Sequence, residues 1–152
     1  MRITLKGRYA LRAILALAEL GKDGAMISIN TLSEAEDISS IFLEQIFFKL
    51  KKANIVKSVR GPGGGFTLDL PLDSITVKEI LDAVGEDMSL EFCEKNVRDC
   101  DRRSDCISHK VFTAVTRRID DFLGNLTLKA VLENGEFQPD AKGSKDLGTI
   151  RK

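Results

Sequence analysis

Histidine, cysteine, proline and tryptophan are scarce in this chain, whose 152 residues include one, three, three and none of them, respectively. With a single histidine, no nucleophile–base pair can be named, so the sequence gives no indication of a catalytic site. An odd number of cysteines fits poorly with a disulfide framework. The chain also has no internal repeat and no low-complexity segment.

Long hydrophobic runs are missing as well. No stretch is long and apolar enough to cross a membrane. The apolar run near the N-terminus is interrupted by Arg8 and Arg12, has a helical period, and is not followed by a signal-peptide cleavage site. We therefore expect a cytoplasmic protein with no membrane partner, whose thiols are reduced and able to bind metal.

Charge is balanced overall but unevenly distributed. Residues 1–66 hold 10 Lys and Arg against 6 Asp and Glu, whereas residues 67–152 hold 13 against 17. A basic N-terminal half is typical of a domain that faces nucleic acid. Because the excess is small, the charge distribution alone is weak evidence for a nucleic-acid partner.

Hydrophobic periodicity predicts three short helices followed by a β-hairpin. The helices cover residues 8–20, 29–36 and the segment between Ser39 and Asn54, and the strands cover 55–60 and 66–70. The positions predicted to face inward are Ala10, Ala13, Ile14, Leu17, Ala18, Leu32, Ala35, Leu43, Ile46, Phe47 and Leu50. This order of elements is that of a winged helix-turn-helix domain.

The third helix has a polar face suited to a DNA major groove. Such a face is usually just solvated, but its position before the hairpin favours a recognition helix. Gln45 can pair with adenine and Glu44 can accept from N4 of cytosine, which makes Glu44 a candidate discriminator. The predicted DNA contacts are Ser40, Ile41, Glu44, Gln45, Lys49, Lys52, Arg60, Gly61, Gly63 and Gly64.

The hairpin loop RGPGGGF has two possible interpretations, a flexible turn or a DNA-binding wing. It is not a P-loop, because no Gly-Lys-Ser/Thr follows it. Its glycines leave backbone amides exposed and allow close approach to another backbone, while Arg60 can reach a phosphate or the minor groove. The preceding helices favour the wing.

The second half of the chain predicts two further helices. Residues 76–79 form a capping-box pattern that opens a helix ending at Gly85, and a long helix starts near Ser108. Its apolar stripe predicts a dimer interface at Val111, Val115, Ile119 and Phe122, with ordinary core packing as the alternative.

The predicted fold class is mainly α with a small β-hairpin wing, that is, a winged helix-turn-helix domain plus a long dimerisation helix. The predicted units are a DNA-binding domain at 1–75, a linker helix and ligand loop at 76–107, dimerisation helices at 108–133 and a disordered tail at 134–152.

Every cysteine and the sole histidine lie in one polar stretch, as Cys93, Cys100, Cys106 and His109. Three thiolates and one imidazole make a complete four-ligand set for zinc or for an iron–sulfur cluster. The spacing, C-x6-C-x5-C-x2-H, lacks the two C-x2-C knuckles of most structural zinc sites. Zinc, an iron–sulfur cluster and an unliganded surface loop all remain open at this point.

Several motifs together resemble the iron–sulfur cluster regulator (IscR) family of bacterial winged-helix repressors. They are MRITLKGRYALRA, SSIFLEQIFFKLKK, SVRGPGGGF, ITVKEILDAV and the cysteine–histidine run, and they extend over about residues 1–133. The resemblance implies a homodimer that binds palindromic operators in double-stranded DNA and controls iron–sulfur assembly genes. It also implies a 2Fe–2S cluster on Cys93, Cys100, Cys106 and His109, donated by the iron–sulfur assembly machinery.

The chain departs from the family's pattern at one place. The first gap in the ligand run is one residue longer than in the nearest members. Relatives that sense nitric oxide or redox state take ligands from the first helix, whereas this chain has Arg8 and Arg12 there. A nitric-oxide-responsive or redox-responsive repressor is the alternative within the family. An iron–sulfur carrier or electron-transfer protein is the alternative from another class, and the glycine wing argues against it.

Overall fold

The computed structural model describes residues 3–90 and 105–134. Its elements are α1 (Leu5–Leu20), α2 (Ile29–Glu36), α3 (Ser40–Lys52), β1 (Val56–Val59), β2 (Gly65–Leu68), α4 (Val77–Val84), α5 (Ile107–Asn125) and α6 (Leu128–Glu133). β1 and β2 pair antiparallel, with Val56 opposite Leu68 and Val59 opposite Gly65. The predicted fold class, mainly helical with one β-hairpin, is confirmed. The predicted disorder of the tail concerns residues that, apart from 134, lie outside the described ranges.

Local capping signals set most helix ends. The hydroxyl oxygen of Ser28 accepts the N–H of Thr31 at 3.1 Å, which starts α2 as predicted. Thr76 and Glu79 form the predicted capping box, and Gly85 ends α4 with a φ of 82°. Ser39 precedes α3 but its side chain makes no capping hydrogen bond. Serine before a helix commonly caps it, but the cap that the sequence favours at Ser39 is not formed.

One hydrophobic core joins α1, α2, α3, the hairpin and α4. The largest fully buried side chains include Phe47, Ile14, Leu17, Leu32, Leu43, Ile46, Leu50 and Ile80. These include most of the positions predicted to face inward, so the predicted helical faces are confirmed there. Ala35 is the exception, since it is exposed and the eight-residue α2 buries Leu32 alone.

The C-terminal helices are fastened to α4. The Val77 N–H donates to the Leu126 carbonyl at 2.9 Å, and Lys78 pairs with Asp120 of α5 at 3.1 Å. Leu128 of α6 is fully buried within the main core. One side of α5 is therefore held by α4, and α6 returns the chain to the winged domain. No helix within the described residues has the length and apolar character that a membrane crossing requires.

Glu86, directly after α4, is a buried carboxylate that holds the start of α1. It is 6% exposed, and its oxygens accept the backbone N–H of Thr4 at 2.9 Å and the Thr4 hydroxyl. A negative charge at this end of a helix is favourable, because the first N–H groups have no partner within the helix. Gly7 leaves room for the contact, since a Cβ there would lie 2.7 Å from Cγ of Glu86.

We expect Glu86→Gln to lower the free energy of unfolding by about 2 kcal/mol at neutral pH, because it removes charge-assisted hydrogen bonds. Burial alone would raise the pKa of the Glu86 carboxyl, but hydrogen bonds from Thr4 and the charge of Lys6 hold it below its ordinary value. A carboxyl with a depressed pKa stabilises the fold above its unfolded pKa, and this contribution is lost as the pH falls through the folded pKa.

Urea denaturation from pH 7 down to about pH 3.5 measures this effect. The gap between wild type and Glu86→Gln should shrink at the acid end. Glu19→Gln, which alters an exposed carboxylate of α1, serves as the control and should leave stability unchanged. A gap of constant size across this pH range would contradict the assignment.

Candidate functional site

α3 presents an outward face opposite its buried stripe. Ile41, Gln45, Phe48 and Lys52 share this face because they are spaced by four, three and four residues. Ile41 is 69% exposed and Phe48 is 72% exposed. Glu44 is also exposed beside them, and Ser40 at the start of α3 is half-buried. The structure thus brings together most of the predicted contacts of the recognition helix.

Phe48 is absent from the predicted contacts, although the sequence carried a signal for it. The stripe of Leu43, Ile46, Phe47 and Leu50 already occupies the inward side of α3. At about 100° of rotation per residue, Phe48 lies nearly opposite the middle of this stripe and therefore points away from the core. An exposed phenyl ring in the middle of a polar face is the signal that the prediction of DNA contacts did not use.

Lys49 points elsewhere. Its ammonium donates to the carbonyl oxygen of Val84 at 3.3 Å, at the C-terminal end of α4. Cations are favourable there, because the last carbonyls of a helix lack partners within the helix. Lys49 therefore links α3 to α4 in this structure, and its predicted contact with DNA stays a prediction.

The wing is held firmly against α3. The rings of Phe47 and Phe66 meet edge to face with centroids 4.8 Å apart. Lys51 donates to the hydroxyl of Ser58 at 2.6 Å, and Ile27 exchanges two backbone hydrogen bonds with Phe66. Because the Phe47–Phe66 and Lys51–Ser58 contacts join them, the hairpin and α3 form one surface. A concavity between them is lined by residues that include Glu44, Phe48, Lys51, Val59 and Arg60.

The tip of the wing has the arrangement of a type II turn. The Gly64 N–H donates to the Gly61 carbonyl at 2.9 Å, Pro62 is at the second position, and Gly63 has a φ of 73°. A Cβ on Gly64 would lie 2.3 Å from the Val59 carbonyl oxygen. Glycine is therefore needed at 64 by the hairpin itself, so a substitution there would distort the wing whether or not it touches DNA.

The surface around this concavity is rich in cations. Lys51 and Arg60 line the concavity, whereas Lys52 of α3 and Lys57 of β1 are exposed outside its lining. Lys57 is partly balanced by Asp69 at 3.7 Å. Glu44 adds a carboxylate to this surface. A polyanion that also carries hydrogen-bond donors would pair with the cations through its negative charges and with the Glu44 carboxylate through its donors.

The predicted metal ligands are described in part. Cys106 is the residue before α5 and His109 lies in its first turn, and both are half-buried. The Cys106 side chain makes no capping hydrogen bond. Cys93 and Cys100 lie outside the described residues. Within residues 3–90 and 105–134, no group of three or more metal-ligating side chains is assembled.

The described residues on either side of the segment that contains Cys93 and Cys100 both meet α5. Just before it, the Leu90 N–H donates to the buried hydroxyl of Thr116 at 3.0 Å. Just after it, the chain enters α5 at Cys106. Ten residues of helix separate these attachment points, a distance of about 15 Å.

α5 also carries a stripe of large apolar side chains that the described chain leaves uncovered. Val111 is 50% exposed, Val115 39% and Phe122 52%, and Ile107 and Phe112 extend the same surface. Ile119, the fourth predicted dimer residue, instead packs beside the cluster of Val77, Leu81 and Met88. Three of the four predicted interface residues are therefore available to a partner.

The comparison with protein families identifies the chain. The family described as "Rrf2: Iron-dependent Transcriptional regulator" matches residues 3–134. The chain belongs to the Rrf2 family. The family consists of DNA-binding transcription regulators and not of enzymes, so the predicted class, a winged-helix regulator that is not an enzyme, is confirmed.

Curated and solved Rrf2 relatives cover most of the chain. The HTH-type transcriptional regulator IscR of Erwinia tasmaniensis is 38% identical over 137 residues, which are 90% of this chain and 82% of that protein. The structure of IscR from T. potens has a TM-score of 0.70 and 30% identity, and the match covers 90% of this chain and 89% of that one. CymR, the global cysteine regulator of B. subtilis, has a TM-score of 0.69 and 26% identity, with coverage of 88% and 97%. The predicted resemblance to IscR proteins is confirmed.

Proposed function

We propose that this Rrf2 protein is a homodimeric, cytoplasmic DNA-binding regulator whose operator choice is set by a 2Fe–2S cluster. Cys93, Cys100, Cys106 and His109 are its ligands, and the iron–sulfur assembly machinery is its donor. The observation that carries the proposal is the position of Cys106 directly before α5 and of His109 in its first turn, in a chain similar to IscR proteins. Iron–sulfur assembly genes are the expected targets.

The described donors fit a cluster. The Cys106 sulfur is not used for capping, and His109 lies three residues later, so both can face one side of the helix start. The N-terminal end of α5 carries a partial positive charge, which favours a thiolate and a negatively charged cluster. When bound, a cluster with one imidazole ligand supplies a group that is more easily reduced or lost than one held by four thiolates.

A chain of contacts in the described residues connects this region to the recognition helix. Lys78 joins α4 to Asp120 of α5, and Lys49 joins α3 to Val84 at the end of α4. A helix such as α4 moves as a rigid unit, so a change in how α5 packs would reach α3. Cluster binding could then favour one of two arrangements of the DNA-binding surface, which is a shift of populations.

The uncovered stripe on α5 supports the homodimer. Large exposed apolar side chains on one helix face mark an interaction surface more often than a free surface. A two-fold axis at α5 would place two winged domains on a palindromic operator. Because α5 also starts at Cys106, the proposed interface and the proposed ligands share one helix.

The alternative within the family, a nitric-oxide or redox sensor, receives less support. Position 8 on α1 holds an exposed arginine, which cannot ligate iron. The carrier alternative conflicts with the family assignment, because Rrf2 proteins are transcription regulators.

The regulatory claim is tested by selecting duplexes from a random library with cluster-loaded and with cluster-free protein. We expect the two forms to select different sequences, and at least one selected duplex to differ in affinity by tenfold or more between them, the scale of about one base contact. Titrations use one fixed salt concentration, because phosphate contacts make all affinities salt-dependent. Identical sequences bound with identical affinity by both forms would contradict the proposal.

A further inference from the structure

Phe48 places an apolar ring at the centre of the DNA-facing side of α3. It is 72% exposed, and its neighbours on the same face are Gln45, three residues before it, and Lys52, four residues after it. The core does not require this ring, since the buried stripe of α3 is complete without it. A large apolar side chain left in water on a functional surface points to a contact made with a partner.

The surroundings of Phe48 indicate what kind of partner this is. The ring lines the same concavity as Lys51 and Arg60, and as Val59 of β1, which is 58% exposed. The partner must therefore present negative charge and apolar groups within one groove-sized surface. The major groove of DNA does so, with phosphates at its rims and the 5-methyl groups of thymine on its floor.

We propose that Phe48 reads thymine by covering its 5-methyl group in the major groove. The proposal rests on the placement of α3 as the recognition helix, and it adds a base that the polar side chains of α3 do not specify. Gln45 and Phe48 are separated by three residues, about 4.5 Å of helix, which is close to one base-pair step of 3.4 Å. Phe48 therefore reads the base pair next to the one that Gln45 faces.

Replacing single thymines by deoxyuridine tests this, because the exchange removes the methyl group and leaves every hydrogen-bonding group in place. Cluster-loaded full-length protein first selects its duplex from a random library. Each thymine of that duplex is then replaced in turn, and binding is titrated with wild type and with Phe48→Ala. Ile41→Ala is the matched control, since Ile41 is an equally exposed apolar residue two turns earlier on the same face.

We expect one thymine position in each half-site at which deoxyuridine weakens wild-type binding about fourfold, the effect of one buried methyl group. At that position Phe48→Ala should bind thymine and deoxyuridine duplexes equally, with the affinity that wild type has for deoxyuridine. Ile41→Ala should keep the wild-type ratio of the affinities for the thymine and deoxyuridine duplexes at that position, even if loss of its own predicted DNA contact lowers both affinities. Because the Phe48 side chain lies outside the core, the variant should unfold at the same urea concentration as wild type.

Three results would overturn the proposal. Sensitivity to deoxyuridine that persists in Phe48→Ala would assign the methyl contact to another side chain. A uniform loss of affinity for all duplexes in Phe48→Ala would mean that the ring supports the backbone contacts and reads no base. Selected duplexes without a recurrent thymine would remove the target. Failure of the cluster proposal would be seen separately, as cluster-free and cluster-loaded protein that select the same duplexes.

Discussion

Cys106→Ala protein isolated without oxygen should be colourless and should hold less than about a tenth of the wild-type iron, because one of three thiolate ligands is lost. The helix should survive the change. Cys106 stands before α5 without making a capping hydrogen bond, so alanine removes no contact that starts the helix. The loss of iron would then show that a ligand has been removed and not that the protein has unfolded.

Absorption spectra and iron analysis measure the effect, with circular dichroism to show that helix content is kept. Ser108→Ala, at an exposed position of the same turn, is the control and should bind iron as wild type does. His109→Ala should keep part of the colour but lose it faster in air, whereas His109→Cys should retain the cluster longer. A full visible band in Cys106→Ala would remove this residue from the ligand set.

Phe122→Glu should convert the dimer to monomers, raising the dissociation constant at least about a hundredfold, because each subunit would bury an unpaired charge. Phe122 is 52% exposed and belongs to the uncovered stripe of α5. It is a sharper probe than Ile119, since Ile119 packs against α4 and a charge there would also disturb the fold.

Sedimentation velocity over a range of concentrations measures this dissociation constant. Arg117→Glu is the control, because Arg117 is exposed on α5 away from the stripe. It should leave the dimer intact. The monomeric Phe122→Glu protein should bind a half-site weakly. It should remain folded and show a cooperative urea unfolding transition at low protein concentration. An undisturbed dimer would place the interface elsewhere.

The parts of the fold that depend on neighbouring residues could be predicted from the sequence. The capping box at Thr76 and the glycine at 85 act within one turn, so local pattern is enough to locate α4. The start of α1 could not be found in this way. It lies at Leu5, three residues before the predicted start, and its first turn is stabilised by Glu86, 82 residues away from Thr4.

In the candidate site, too, a local pattern predicts some features, and others depend on contacts between distant residues. The exposed face of α3 follows from the helical period, although the contacts predicted on that face omit Phe48. The orientation of Lys49 toward Val84 and the packing of Ile119 against α4 depend on tertiary contacts, which a polar or apolar pattern does not contain. A stripe on a long helix is therefore divided between core and interface in a way that its sequence does not reveal.

The metal content of the wild-type protein tests the central claim most directly. Protein isolated without oxygen is analysed for iron, zinc and acid-labile sulfide per chain, together with its visible absorption. We expect a reddish-brown protein with about two irons and two sulfides per chain. Stoichiometric zinc with no visible band, or no bound metal at all, would contradict the account.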